Sequence, residues 1–372
     1  MRAIIILIFF VPSVYSVAQE KLIQEEPVQF EYNLKLSEDT GNYFFSEISA
    51  VVSNSKGDIY IADGKQSKIL VFDKSGSFKF SFGRAGRGPG EFTEVTSMTL
   101  LPDDEILIFD YFQFRFTKYD AEGNLIATKV IEKEIKPNYM RHVPGKGIVL
   151  FYRSLDALRG EVNHNEDYLI HIFDEDLNEI ESELVPVSHT IDTSQPFELF
   201  FVGGVFTSSF TTTDSTLTLA PFFYRGKVLQ YSLETNKLKR VFNGYTATSK
   251  TYVEYDNYKD VLGKGMIANS AVYGKLHGIM NNESMGIFKK SNGDYLHISL
   301  LSIEDKQHLY TQLFDEDTGE LKARGPVTNL EAGLLDNGFY QRVLFYWMDQ
   351  KDQLYVIVMG QNGDYLLRVA WK

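Results

Sequence analysis

Short apolar runs separated by turn residues recur along the chain. A turn followed by an apolar strand appears at Gly57–Asp63 and Asp104–Asp110. Weaker copies stand at Gly147–Phe151, Asp214–Leu219, Gly293–Ile298 and Asp352–Ile357. A second phrase follows most copies: an apolar run ends in an aromatic residue and Asp, then turn residues, then another run. It occurs at Phe72-Asp73, Tyr119-Asp120, Phe173-Asp174 and Phe314-Asp315, and at Tyr231-Ser232 with serine in place of Asp. Asp opens such turns by bonding its own backbone two residues on, and Gly or Asn closes them by accepting positive φ. Runs of this length bounded by turn residues predict strands and hairpins.

Each unit then holds four strands, in the second unit Val95–Leu101, Glu105–Asp110, Arg115–Asp120 and Asn124–Ile131. Four-stranded units repeating at roughly 40 to 60 residues, with few helical stretches, point to a β-propeller, and six copies mean six blades. The last unit, near Arg342–Met348, Gln353–Gly360 and Tyr365–Trp371, is one strand short. The apolar-patterned stretch 28–36 is the spare strand that closes the ring and removes an exposed edge. The expected fold is therefore all-β, a single six-bladed propeller over residues 19–372.

The first 18 residues stand apart. Arg2 precedes an apolar run from Ala3 to Val11, Pro12 breaks it, and Ser16 and Ala18 sit at the −3 and −1 positions of a cleavage site. This is the pattern of a secretory signal peptide, and the run is about half of the roughly 20 residues that span a bilayer. The chain is expected to be periplasmic or secreted, with no transmembrane segment after cleavage. It has no cysteine, which removes disulfides, thiolate metal sites and a catalytic thiol. Its 50 acidic against 37 basic residues give a net charge of −13. That argues against nucleic acid as a partner, because phosphate neutralisation needs clustered Lys and Arg.

No catalytic signature emerges. The seven histidines form no HExxH and no close metal-ligand pair, and no GxSxG elbow is present. Asp174–Asn178 resembles the first half of a calcium loop, but Glu179 stands where Gly is required and Val185 where Glu is required. No metal and no cofactor are expected. Propellers build sites from loops at one channel face, and the first two blades place Asp63, Lys65, Arg84, Arg87, Asp110, Phe112 and Arg115 in such loops. Arginines beside aromatics suit an anionic or sugar-like ligand. The alternative is that these charges pair with one another around the rim. Residues 244–282 form a long excursion between blades four and five, rich in tyrosine (Tyr245, Tyr252, Tyr255, Tyr258, Tyr273), with a short helix expected over Val253–Leu262. Tyr252 and Tyr255 are its candidate contact residues.

The stretch Phe82–Phe92, with glycines at 83, 86, 88 and 90, resembles the blade connector of NHL-repeat propellers. The whole chain is similar to the exported 6-bladed beta-propeller proteins of Bacteroidota, a TolB-like group. The resemblance is strong over residues 44–131 and weaker beyond. Many such relatives are lipoproteins; the absence of cysteine departs from that pattern and implies a free periplasmic or secreted protein. The expected function is a non-enzymatic, monomeric scaffold that binds a protein, peptide or glycan through channel-face loops. The alternative is a metal-dependent hydrolase, lactonase or lyase with its site in the central channel.

Overall fold

A computed structural model describes residues 23, 25–38, 43–131, 137, 139–151, 168–202, 209–262, 265–270, 274–304, 306–334, 340–360 and 363–371. The expected signal peptide, residues 1–18, lies outside them, as does Tyr273. Five antiparallel sheets of four strands and one of five carry the chain. The first five blades start on inner strands Ile48–Ser53, Val95–Leu100, Met140–Val143, Ser209–Thr212 and Asn282–Lys289, and the sixth on Tyr340–Met348. These six inner strands contact one another in cyclic order, and the last touches the first, so the ring is closed. The fold is a six-bladed propeller. Each of the six recurring phrases forms the second strand of its blade, such as Ile59–Asp63 and Ile106–Asp110. Those two strands are buried throughout, because blades cover both of their faces. Outer strands such as Leu125–Val130 are mostly exposed.

The N-terminal strand Phe30–Leu36 closes the last blade. It pairs antiparallel with Gly363–Trp371, in a register running from Phe30 opposite Trp371 to Leu36 opposite Leu366. The residues before it lie along the outer strand of blade five. Glu26 N–H donates to the Arg324 carbonyl at 3.0 Å, and Val28 N–H to that of Pro326 at 2.8 Å. Gly325 permits this approach: a Cβ there would stand 1.6 Å from the Glu26 carbonyl oxygen. The N-terminus thus fastens blade five to blade six.

The Asp turns have their predicted chemistry. Asp73 accepts from the N–H groups of Ser75 and Ser77, Asp120 from those of Glu122 and Asn124, and Asp315 from those of Asp317 and Thr318. Asp174 accepts from Asn178 N–H at 2.8 Å, the bond of a hairpin turn.

Residues 244–282 are built differently from the expectation. A three-stranded sheet orders Tyr252–Glu254, Gly274–Met280 and Met266–Ser270, with the second in the middle. In place of a helix over Val253–Leu262 there is only a 3-10 turn at Tyr258–Asp260, capped by the Asn257 side chain. Sheet pairing takes Val253 and Glu254 instead: they lie opposite Ile279 and Gly278.

Candidate functional site: the channel mouth

Four inner strands carry a register shift that leaves one residue without a partner opposite: Ser49, Thr96, Met285 and Tyr346. Such bulges re-aim a side chain. All four extra residues line one cavity of about 750 Å³ at the mouth of the central channel. Every blade contributes to its wall, from Ser46–Ser49 in blade one to Gln341–Tyr346 in blade six. Its volume falls in the range of small-molecule sites.

The floor is aromatic. Tyr139 and Tyr346 meet edge to face at 5.7 Å, and Phe210 packs on Tyr139 at 5.1 Å. Beneath them Arg141 reaches from blade three to blade six and donates to the Tyr346 carbonyl at 2.9 Å. Its guanidinium lies 3.8 Å from the Tyr139 ring and 4.4 Å from that of Trp347. It also donates to the Tyr139 hydroxyl and, at 2.8 Å, to the Met140 carbonyl. Burial pushes the Arg141 pKa down. Among the described residues, rings and carbonyls hold its charge.

The charged side chains of the wall are mainly acidic. Glu47, Glu94 and Glu283 occupy one register position in blades one, two and five, two residues before the bulged residue. Asp364 comes from the third strand of blade six, Gly363–Trp371, and accepts Ile48 N–H at 3.1 Å, tying the final blade to the first. Burial raises its pKa; the Ile48 bond opposes this, and Glu47 adds to the rise. Lys65 and Arg342 are the cations of the wall. Lys65 pairs with Glu47 at 3.5 Å, both well exposed. In the blade-five wall Ser284 Oγ lies 3.0 Å from His297 Nε2. Burial pushes that imidazole down to about 3, too weak a base to take a serine proton near neutral pH. Among the described residues, no three His, Asp or Glu side chains converge as metal ligands.

Of the residues singled out from sequence, Lys65 alone lines this cavity. Asp63 and Asp110 are buried at equivalent places. Asp63 accepts Ser46 N–H and Gln66 Nε2, both at 2.8 Å; Asp110 accepts Thr93 N–H at 2.6 Å and Gln113 Nε2 at 2.7 Å. Each pins the start of its inner strand to the end of the second. Arg115 is buried and donates to the carbonyls of Arg87 and Glu91, holding the connector. Arg84 pairs with Glu91 at 2.8 Å, and Gly88 N–H donates to the same carboxylate. Gly83, at φ +80°, passes the Phe92 ring so closely that a Cβ would stand 2.4 Å from it. Arg87 and Phe112 are exposed on the rim. Tyr252 stacks on Phe197 of the short helix Pro196–Val202 at 4.5 Å, and Tyr255 is partly exposed on the small sheet. The nine therefore do not form one cluster.

Lys65 apart, the mouth residues carry no recognisable motif, although Ser46-Glu47-Ile48-Ser49 and Thr93-Glu94-Val95-Thr96 repeat one pattern at the start of two inner strands. That repeat was the available signal. The small sheet joins blade five at the same end: Asn281 N–H donates to the Thr251 carbonyl, and Ser302 N–H, at the end of the second strand of blade five, to that of Asn281.

Comparison with known proteins agrees with the six-bladed fold. The family model 6-bladed beta-propeller (DUF5128) matches residues 6–201, more than half of the chain. Two solved structures superpose along nearly the full length. One is a protein from Bacteroides fragilis named for its inferred export, with a TM-score of 0.55 and 13% identity over 95% of this chain and 97% of that one. The other is a member of the DUF4221 family from Bacteroides vulgatus, with a TM-score of 0.57 and 12% identity over 94% and 99%. At such identities the likeness concerns the fold. A 43-residue stretch is 46% identical to the protein brain tumor of Drosophila melanogaster, spanning 12% of this chain and 4% of that protein.

Proposed function

The chain belongs to the 6-bladed beta-propeller family, and we propose that it acts as an exported, non-catalytic propeller that binds a protein, peptide or glycan partner at the channel mouth. The observation that carries this reading is the 750 Å³ cavity into which four separate bulges turn a side chain. Three of the bulges, in blades one, two and five, share one register position, and that of blade six lies two pairs further along its strand, yet all four extra residues line the same cavity. Export is supported by the Arg2–Ala18 pattern and by the description of the Bacteroides fragilis neighbour. An origin among the exported, NHL-like propellers of Bacteroidota rests on the Phe82–Phe92 connector and on two Bacteroides neighbours. We take the protein to be monomeric. The small sheet beside the mouth, with Tyr255 and Tyr258 on its surface, extends the contact area.

The test is a peptide and glycan array probed with the wild type and with a cavity-filled Ser49→Trp/Met285→Trp variant. Ligands retained by the wild type are expected to be lost by the filled protein while its melting temperature stays within a few degrees. Equal retention by both proteins would sink the reading.

A further inference from the structure

We propose that the channel mouth selects an organic cation, an ammonium or guanidinium group on an apolar stem. This rests on the reading of the mouth as the binding site and narrows its ligand. Four carboxylates, Glu47, Glu94, Glu283 and Asp364, face two cations, Lys65 and Arg342, in the cavity wall. Three of the four repeat at one register position in three blades, so the acidity is built into the wall. One of the two cations, Lys65, is already matched to Glu47 at the outer rim. The guanidinium of Arg141 lies below the floor, where the Tyr139 and Tyr346 groups take up its donors. A ligand in the cavity therefore meets acidic walls first.

Two further features fit the same ligand. Ser209 Oγ, on a residue only 9% exposed, lines the cavity without a hydrogen-bond partner and is an acceptor for an ammonium proton. The floor offers ring faces and aliphatic side chains to a methylene stem, and ring faces attract cations as well. An anionic ligand would have to enter past the net negative wall, which costs affinity and slows association.

Isothermal titration of the protein with capped tripeptides tests this. The probes are acetyl-Leu-Lys-Leu-amide and acetyl-Leu-Glu-Leu-amide, with 1,5-diaminopentane as a free amine. The lysine peptide is expected to bind about tenfold more tightly than the glutamate peptide or better, and to weaken severalfold on raising salt from about 50 to 500 mM. Glu94→Gln and Glu283→Gln, close in shape to the native residues, should each weaken it about threefold or more with little change in melting temperature. Diamine binding as tight as the peptide would identify a free amine as the source of the cation; weaker diamine binding would identify a peptide side chain. Both support the inference. Equal or tighter binding of the glutamate peptide, or no binding of any cationic probe, would overturn it. An anionic ligand that the cavity-filled variant loses would leave the mouth as the binding site while removing its charge preference.

Discussion

Asp63 and Asp110 stand at the same place in neighbouring blades, and each ties together segments 17 residues apart. Their carboxylates are buried and fully committed to protein donors. Replacing Asp110 with alanine takes the acceptor from Thr93 N–H, from the Thr93 hydroxyl and from one bond of the Gln113 amide at a half-buried place, which costs about 1 to 3 kcal/mol. Chemical denaturation of Asp110→Ala should show that loss; a change under about 0.5 kcal/mol would contradict the assignment. Gly325 makes a second case. With the Glu26 carbonyl oxygen 1.6 Å from where a Cβ would sit, Gly325→Ala must lift the N-terminal run off blade five. Limited proteolysis should then cut before Phe30 faster than in the wild type. A residue is legible in sequence where its chemistry is local. An Asp two to four residues from its donors is legible as a turn former. An Asp whose donor lies 17 residues back is not, and so Asp63 and Asp110 entered the sequence reading as ligand-binding candidates.

At the scale of single elements, the turns carry a pH dependence. Asp73 is held below the usual carboxylate range first by its Ser75 bond, Asp120 by Asn124, and Asp174 and Asp315 by backbone N–H groups of Asn178 and Thr318. A lowered folded pKa means that the unfolded chain binds protons first as pH falls. The stabilisation is present above the unfolded values near pH 4 and disappears below them. The melting temperature should begin to fall below about pH 6.5, where the unfolded chain protonates His297 while burial keeps it neutral in the fold, and should fall more steeply below about pH 4 as the turn carboxylates take up protons. In a variant with Asn at positions 73, 120, 174 and 315 that acid slope should flatten; an unchanged slope would place it elsewhere. Hairpins and second strands were legible because turn chemistry and apolar runs coincide there. The small sheet at 252–280 was not. Its strands are short, and its pairing joins Tyr252 to Met280 across a separation that no local pattern reports.

For the molecule as a whole, strand counting was enough to foresee closure by an N-terminal strand, because a blade short of one strand at the C-terminus must be completed from elsewhere. Deleting residues 1–36 leaves Gly363–Trp371 as an open edge of nine residues. Such edges pair with other chains. The truncated protein should associate with rising concentration in light scattering, while the wild type does not. The channel mouth was the least legible part. Its wall is assembled from six strands spread over some 300 residues, and in four of them a bulge reverses the side-chain alternation that a strict period of two predicts.

The measurement that bears most directly on the central claim is site-specific photo-crosslinking to ligands retained on the array. A benzophenone side chain would replace Met285 in the mouth or Ile126 on the outer strand of blade two. A covalent product is expected at position 285 and none at position 126. A product at 126 with none at 285 would contradict it.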